Sequence, residues 1–214
     1  MFRDRTDAGR RLADLLDDRD VAADVVLAVP RGGLPVASPV ADALGAPLDV
    51  VVASKIGAPD NPELAVGAVA SDGTLWRNEE LLDRLGVSDA YVERERESEA
   101  RAAGEKLERY RGIDALPDVE GKRVVVVDDG LATGATVTAA LRQIRSAGAN
   151  SVVLAVPVAA PDAVERLRTE ADEVIAEETP PHFSAVGQFY ESFPQVSDEE
   201  ARSYLAPRDR DGRS

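Results

Sequence analysis

The sequence predicts an α/β protein: an open, mainly parallel sheet flanked by helices. Apolar, β-branched runs alternate with helical patterns along the chain, as successive βα units require. The strongest runs, at 25–29, 124–127 and 151–158, are apolar almost throughout rather than alternating, which marks strands buried on both faces. A length of 214 residues is ample for one domain with a buried core.

In chain order, residues 7–18 repeat leucine at helical spacing, and DVVLAVP (24–30) reads as the first strand. LPVASPVADALG (34–45) reads as a helix that tolerates Pro35 in its first turn and ends at Gly45. PLDVVVAS (47–54) is the second strand, and KIGAPDNPEL (55–64) a loop bearing Gly and Pro. AVGAVA (65–70) and TLW (74–76) form an antiparallel pair across the turn SDG. Residues 88–111 predict an exposed helix supported by Glu97/Arg101 and Glu105/Arg109 at i,i+4 spacing, its charges a solvated face. KRVVVVDD (122–129) and SVVLAVPV (151–158) are the next two strands, joined by a helix over 136–147. DEVIAE (172–177) is a fifth strand, and a helix capped by Ser197 runs to 205. One domain is expected over 1–206, with 207–214 frayed.

Composition excludes several chemistries. With no cysteine there is no disulfide, thiol nucleophile or iron–sulfur site. With 40 acidic against 25 basic residues, the formal charge of −15 repels polyanions, so no nucleic-acid partner is expected. No apolar run spans a bilayer and the start lacks the apolar centre of a signal peptide, so a cytoplasmic protein without a membrane partner is expected. The acidic surface and only three lysines would suit a salt-rich cytoplasm, and high-GC coding gives the same pattern.

The chemistry concentrates in VVVVDDGLATGAT (124–136). Asp128 and Asp129 arrive at the carboxyl end of a buried parallel strand, where open α/β sheets place ligands. Gly130, Leu131, Ala132, Thr133, Gly134, Ala135 and Thr136 then open a helix. Glycines let amides close round an anion, threonines add donors, and the helix amino end adds a favourable dipole. Such a turn suits a phosphate, and two carboxylates beside it need hydroxyl donors or a divalent cation. A ribose 5-phosphate with magnesium meets those demands. No Lys-Ser/Thr follows the glycines, so this is not a Walker A loop, and no G-x-G-x-x-G turn is present.

This stretch resembles the phosphoribosyl pyrophosphate (PRPP) motif of type I phosphoribosyltransferases: four apolar residues, two acids and Thr133-Gly134-Ala135-Thr136. The resemblance implies that 130–136 bind the 5-phosphate, and that Asp128 and Asp129 hold the ribose hydroxyls and Mg2+, directly or through water. It implies that Arg31, Gly32 and Gly33 of AVPRGG bind the pyrophosphate, with the Pro30–Arg31 peptide cis. Residues after the second strand become a mobile flap with Lys55 at its start, beside the pyrophosphate. Where an Arg-Lys pair is expected, this chain has Ser54-Lys55. Asp128, Asp129, Lys55 and Arg31 are thus the candidate catalytic residues. The chain also resembles a branch of the family sharing KxGxPxNPELAxGAV and VGxFYxxFxxVxDEE, a likeness covering nearly its whole length.

The same resemblance implies a core over about 20–160, a small hood from the chain ends (about 1–19 and 161–206), and a homodimer. In the hood Phe183 would stack on a base and Val186 contact it, although packing alone accounts for Phe183, Phe189 and Tyr190 equally well. AVPVAAP lacks the lysine that 6-oxopurine enzymes carry at this place. His182, the one histidine, follows two prolines and reads as a surface residue. The implied activity is transfer of phosphoribose from PRPP to a nitrogenous acceptor. The alternatives are a PRPP-sensing regulator on the same fold and a hydrolase of PRPP or a related sugar phosphate.

Overall fold

The computed structural model describes residues 1–206, so the tail expected to fray lies outside the described residues. The chain runs α1 (Arg5–Asp17), β1 (Val25–Ala28), α2 (Gly33–Ala43) and β2 (Leu48–Val50), then β3 (Ala53–Ala58), β4 (Asn61–Ala70) and β5 (Leu75–Arg77). Helices α3 (Glu79–Leu85) and α4 (Asp89–Arg111) lead to β6 (Arg123–Val127), α5 (Ala135–Ser146), β7 (Ser151–Val158), α6 (Pro161–Leu167), β8 (Glu173–Glu178) and α7 (Asp198–Leu205).

The expected parallel sheet is present, with five strands in the order β2-β1-β6-β7-β8, every neighbouring pair parallel. The valine run of β6 has a direct reason. Val125 and Val127 pack with Leu12, Leu34, Val40 and Leu107 on the face covered by α1, α2 and α4. Val124 and Val126 pack with Leu141, Ile144, Leu154 and Leu167 on the face covered by α5 and α6. A strand with helices on both sides needs an apolar residue at every position. Each buried valine stabilises by about 1.5–3 kcal/mol relative to exposure, so the strand that carries the two aspartates is firmly anchored.

Three expectations need correction. The single strand over 47–54 is two: β2 closes the parallel sheet at Val50, and β3 begins at Ala53 in a separate antiparallel sheet of order β3-β4-β5. The break falls at Val51 and Val52, whose backbones turn to bond Ala28 and Ser71 respectively. The stretch 55–64 is not a loop but most of the β3–β4 hairpin, with only residues 59–60 in the turn. Register shifts at Ile56/Gly57 and Gly57/Ala58 make this possible, because a Cβ on Gly57 would lie 2.6 Å from the Pro62 carbonyl oxygen. Finally, the pairs Glu97/Arg101 and Glu105/Arg109 are not the ion pairs of α4. The helix forms Arg96–Glu93 at 2.5 Å instead, and its inner face is buried through Val92, Ala103, Leu107 and Tyr110. The pair β4–β5 forms as expected across the turn at 71–74.

Helices α3 and α6 carry signals of their own. Asn78 caps the first through its side chain and Gly86 ends it in the left-handed region at φ 64°, while Pro161 opens the second.

Candidate functional site

The site grows from the contact of two strand ends. β1 and β6 are parallel neighbours, so the turn after Ala28 and the turn after Val127 emerge side by side. The Val29 amide donates to the Val127 carbonyl at 2.9 Å, and the Gly33 amide returns to the Val29 carbonyl at 3.0 Å. The Pro30–Arg31 peptide between them is cis, as the resemblance implied. Both glycines are there for want of room. A Cβ on Gly32 would lie 2.6 Å from Asp129 Cγ, and one on Gly33 would lie 2.8 Å from the Val127 carbonyl oxygen. Among the described residues no acceptor meets the amides of Arg31 and Gly32. The loop therefore lies directly against the two aspartates, with its Arg31 and Gly32 amides unmet.

The aspartates are half-buried and close together. The Asp129 amide donates to Asp128 Oδ1 at 2.8 Å. Burial, and then the charge of Asp129, raises the Asp128 carboxyl well above the ordinary value. Asp129 is also raised by burial, but less freely, because Arg5 opposes it. Arg5 Nε donates to Asp129 Oδ2 at 2.8 Å, its Nη1 donates to the Pro194 carbonyl at 2.7 Å, and its guanidinium lies 3.7 Å from the Phe193 ring centroid. Tyr190 completes the support, its hydroxyl donating to the Asp129 carbonyl at 2.6 Å. Burial, then the neighbouring Asp129, raises the Tyr190 phenol, so it remains a donor.

Beyond Asp129 the chain turns into α5. A Cβ on Gly130 would lie 2.6 Å from Val186 Cγ1, which brings Val186 of the hood against this turn. Leu131 is anchored by an amide bond to the Val158 carbonyl at 2.9 Å. Gly134 adopts φ 69°, a left-handed conformation that only glycine takes without strain, and caps α5 without a side chain. Among the described residues no acceptor meets the amides of Ala132, Thr133 and Gly134, and Ala132 and Thr133 are exposed. With Ala135 and Thr136 opening α5, the turn has the bare amides and helix dipole of an anion cradle.

The cations are placed less uniformly. Arg31 Nη1 lies 3.5 Å from Asp198 Oδ1 in the first turn of α7. Tyr110 donates its hydroxyl to the same carboxylate at 2.8 Å, and its phenol is pushed up to about 12, chiefly by burial and then by that bond. Lys106 Nζ donates to the Pro30 carbonyl at 3.0 Å. Lys55 stands apart from this cluster: it is on β3, and its ammonium pairs with Glu63 of β4 at 2.8 Å.

The hood is an aromatic cluster made by the two ends of the described chain. Phe2 and Tyr190 are buried with Ala8 and Val158, and Phe183, Val186, Phe189 and Phe193 pack against them. Phe183 is half-buried and its ring sits 5.2 Å from that of Phe189. His182 is exposed, and its carbonyl accepts from Gln188 Nε2 at 3.3 Å. Thus Asp128, Asp129, Gly32, Gly33, the turn 130–136 and Val186 are brought together, Arg31 flanks them, and Lys55 is held elsewhere. Arg5, Lys106 and Asp198 are additions to the residues singled out from sequence, and Tyr190, read there as hood packing, also supports Asp129. Tyr190 and Asp198 fall inside the VGxFYxxFxxVxDEE pattern; nothing local marks Arg5 or Lys106.

A family model for the phosphoribosyl transferase domain matches residues 4–193. The chain belongs to that family. It is 44% identical over 212 residues to a protein of two Mycobacterium tuberculosis strains (CDC 1551 / Oshkosh and H37Rv) named "Putative phosphoribosyl transferase", an alignment covering 99% of this chain and 48% of that one. The chain therefore spans about half the length of those curated relatives. Among solved structures it is similar to TT1426 from Thermus thermophilus, with a TM-score of 0.80 and 45% identity, covering 95% of this chain and 97% of the other. A more distant fold match is the AQ2163 protein of Aquifex aeolicus, with a TM-score of 0.52 and 15% identity over 94% of this chain and 86% of that one. Among the described residues no helix is long and apolar enough to cross a membrane.

Proposed function

We propose that the chain transfers the 5-phosphoribosyl group of PRPP to a nitrogenous acceptor with release of pyrophosphate. One observation carries the reading: the Arg31–Gly33 loop, with its bare amides, lies directly on Asp128 and Asp129, and the same two residues lead into the amide cradle of α5. Two anion sites flanking a pair of carboxylates match a sugar with phosphate at one end, diphosphate at the other and hydroxyls between. Residues 130–136 take the 5-phosphate and the Arg31, Gly32 and Gly33 loop takes the diphosphate. Asp129, already accepting from Arg5, and Asp128 accept from the ribose hydroxyls.

The donor set fits Mg2+. Both candidate ligands are carboxylates, and Asp128 has no cation in ion-pair contact among the described residues. Magnesium is commonly held by one or two carboxylates with water and substrate phosphate, so Asp128 would hold it, with Asp129 contributing directly or through water. When bound, the metal neutralises charge on the diphosphate. The chain's own contribution is positional and electrostatic. The C1–O bond breaks with its electron pair leaving on the diphosphate, a C1–N bond forms from the other face, and Arg31 and the loop amides receive the developing charge. One of the two aspartates assists in removing the acceptor's proton, while positioning the ribose is their main role. Lys55 joins the diphosphate only after leaving Glu63, which the β3–β4 hairpin permits by closing over the substrates and excluding water. Phe183 and Val186 face the acceptor, and the active form is a homodimer.

The test is pyrophosphate release from PRPP and Mg2+ against a panel of purines, pyrimidines, nicotinate and xanthine, at low and multimolar salt. Release that depends on one acceptor and vanishes in Asp128→Asn/Asp129→Asn is expected. PRPP binding without turnover on any acceptor would replace the transferase by a sensor, and no PRPP binding would end the reading.

A further inference from the structure

The chain has three lysines, and two of them end on carboxylates: Lys55 on Glu63 at 2.8 Å and Lys122 on Asp118 at 2.9 Å. Lys106 is different. Its ammonium donates to a neutral acceptor, the Pro30 carbonyl at 3.0 Å, and among the described residues it has no carboxylate within ion-pair distance. In a chain with 40 acidic residues this is a costly arrangement, since a half-buried ammonium has given up water without gaining a counter-charge. Burial first, and then the Arg31 guanidinium, lowers its proton affinity, while Asp198 and Asp128 act the other way.

The position is fixed rather than incidental. Ala103, Leu107 and Tyr110 on the same helix are buried in the core shared with α2, so α4 holds the Lys106 stem in place. The ammonium carries three N–H donors, and the Pro30 carbonyl uses one. The next residue along is Arg31, whose own amide and that of Gly32 meet no acceptor among the described residues. Donors from two separate elements, Lys106 of α4 and the amides of the Arg31–Gly32 loop, therefore lie together with hydrogen-bonding capacity to spare.

Building on the transferase reading above, we propose that Lys106 is a direct ligand of the diphosphate group, delivered by α4 to the Pro30–Gly33 loop. It supplies a cation close to Arg31 without requiring the β3–β4 hairpin to move, so diphosphate affinity exists before Lys55 arrives. That charge would lie against the leaving group, where it counts most as the C1–O bond breaks.

The variant that separates binding from propping is Lys106→Gln, whose amide can still donate to the Pro30 carbonyl but carries no charge; Lys106→Met removes both. Affinities for PRPP, pyrophosphate and ribose 5-phosphate, each with Mg2+, are measured by titration calorimetry on wild type and both variants, with melting curves as a folding check. Lys106→Gln is expected to weaken PRPP and pyrophosphate by about tenfold or more, the scale of one charge-assisted hydrogen bond, and to leave ribose 5-phosphate unchanged. Wild-type affinity for pyrophosphate in Lys106→Gln, or an equal loss for all three ligands, would reduce Lys106 to a prop for the loop and overturn the inference while the PRPP reading stands. If wild type binds none of the three, both fall.

Discussion

Arg5 and Asp129 are joined by a 2.8 Å hydrogen bond across 124 residues of sequence, with side chains only 10% and 16% exposed. The pair links the hood to the end of β6, and Phe193 and Pro194 close the other sides of the guanidinium. Removing the cation leaves two carboxylates facing each other in a half-buried place. Arg5→Met should lower unfolding free energy by about 2–3 kcal/mol, less than the full cost of an orphaned buried charge because Asp129 can take up a proton. Urea titrations at neutral pH would check this, and an unchanged midpoint would show that the pair contributes no net stability.

Asp128 gives the opposite sign. Its carboxyl is raised by burial and by Asp129, so in the interval between the ordinary aspartate value and the raised one the folded chain binds more protons than the unfolded. Stability from this group is present in the acid part of that interval and lost as pH rises through the raised value. Asp128→Asn removes the penalty. It should stabilise the protein at pH 7 by about 0.5–2 kcal/mol while abolishing PRPP binding, the trade expected of a site held under electrostatic strain. Asp24 titrates the other way: Arg123 holds it down to about 2, so its contribution is lost only as pH falls toward that value. Melting temperatures of wild type and variant should therefore diverge toward neutral pH and converge in acid. A constant gap across the range would contradict the raised carboxyl.

Gly32 tests the contact between the two loops. An added methyl would fall on the Asp129 carboxylate, with Cγ 2.6 Å away and Arg5 Nε at 3.2 Å. Asp129 cannot retreat without breaking its bond to Arg5. Gly32→Ala should cost about 1–3 kcal/mol, the range for overpacking, and remove PRPP binding even where the fold survives. A variant that binds PRPP as wild type does would mean that the loops separate freely.

How much of this was legible in the sequence depends on the range of the interaction concerned. Val124–Val127 read as a doubly buried strand because both faces impose the same demand, and Asp128, Asp129 and the glycines after them read as a ligand turn because turn chemistry is local. The cis Pro30–Arg31 peptide followed from resemblance, not from composition. The split at Val51–Val52 was not legible, since the run is uniformly β-forming and only the packing of β3 on β4 ends one sheet and starts another. The hairpin at 55–64 was obscured by Gly57 and Pro62, which signal a loop in one dimension and a bulge in three. Arg5 was invisible because its partner lies 124 residues away, and Lys106 because its neighbours on α4 read as a solvated face. Helix α3 was not read from the sequence, although Asn78 and Gly86 mark both of its ends.

Asp198 lies 3.5 Å from the Arg31 guanidinium while accepting from Tyr110 at 2.8 Å. A carboxylate on the cation proposed for the diphosphate is a competitor, and any diphosphate must displace it or share the guanidinium. Asp198→Asn keeps the acceptor for Tyr110 and the start of α7 but removes the competing charge. PRPP affinity should rise by at most about fivefold, as loss of one exposed ion pair allows, and the Tyr110 phenol should ionise at a lower pH than its present value of about 12. Burial, its larger cause, would still hold it above the ordinary tyrosine range. Calorimetric titration of PRPP and an ultraviolet phenolate titration read the two effects separately. A loss of affinity in Asp198→Asn would reverse the assignment and make Asp198 a residue that orients Arg31 toward the ligand.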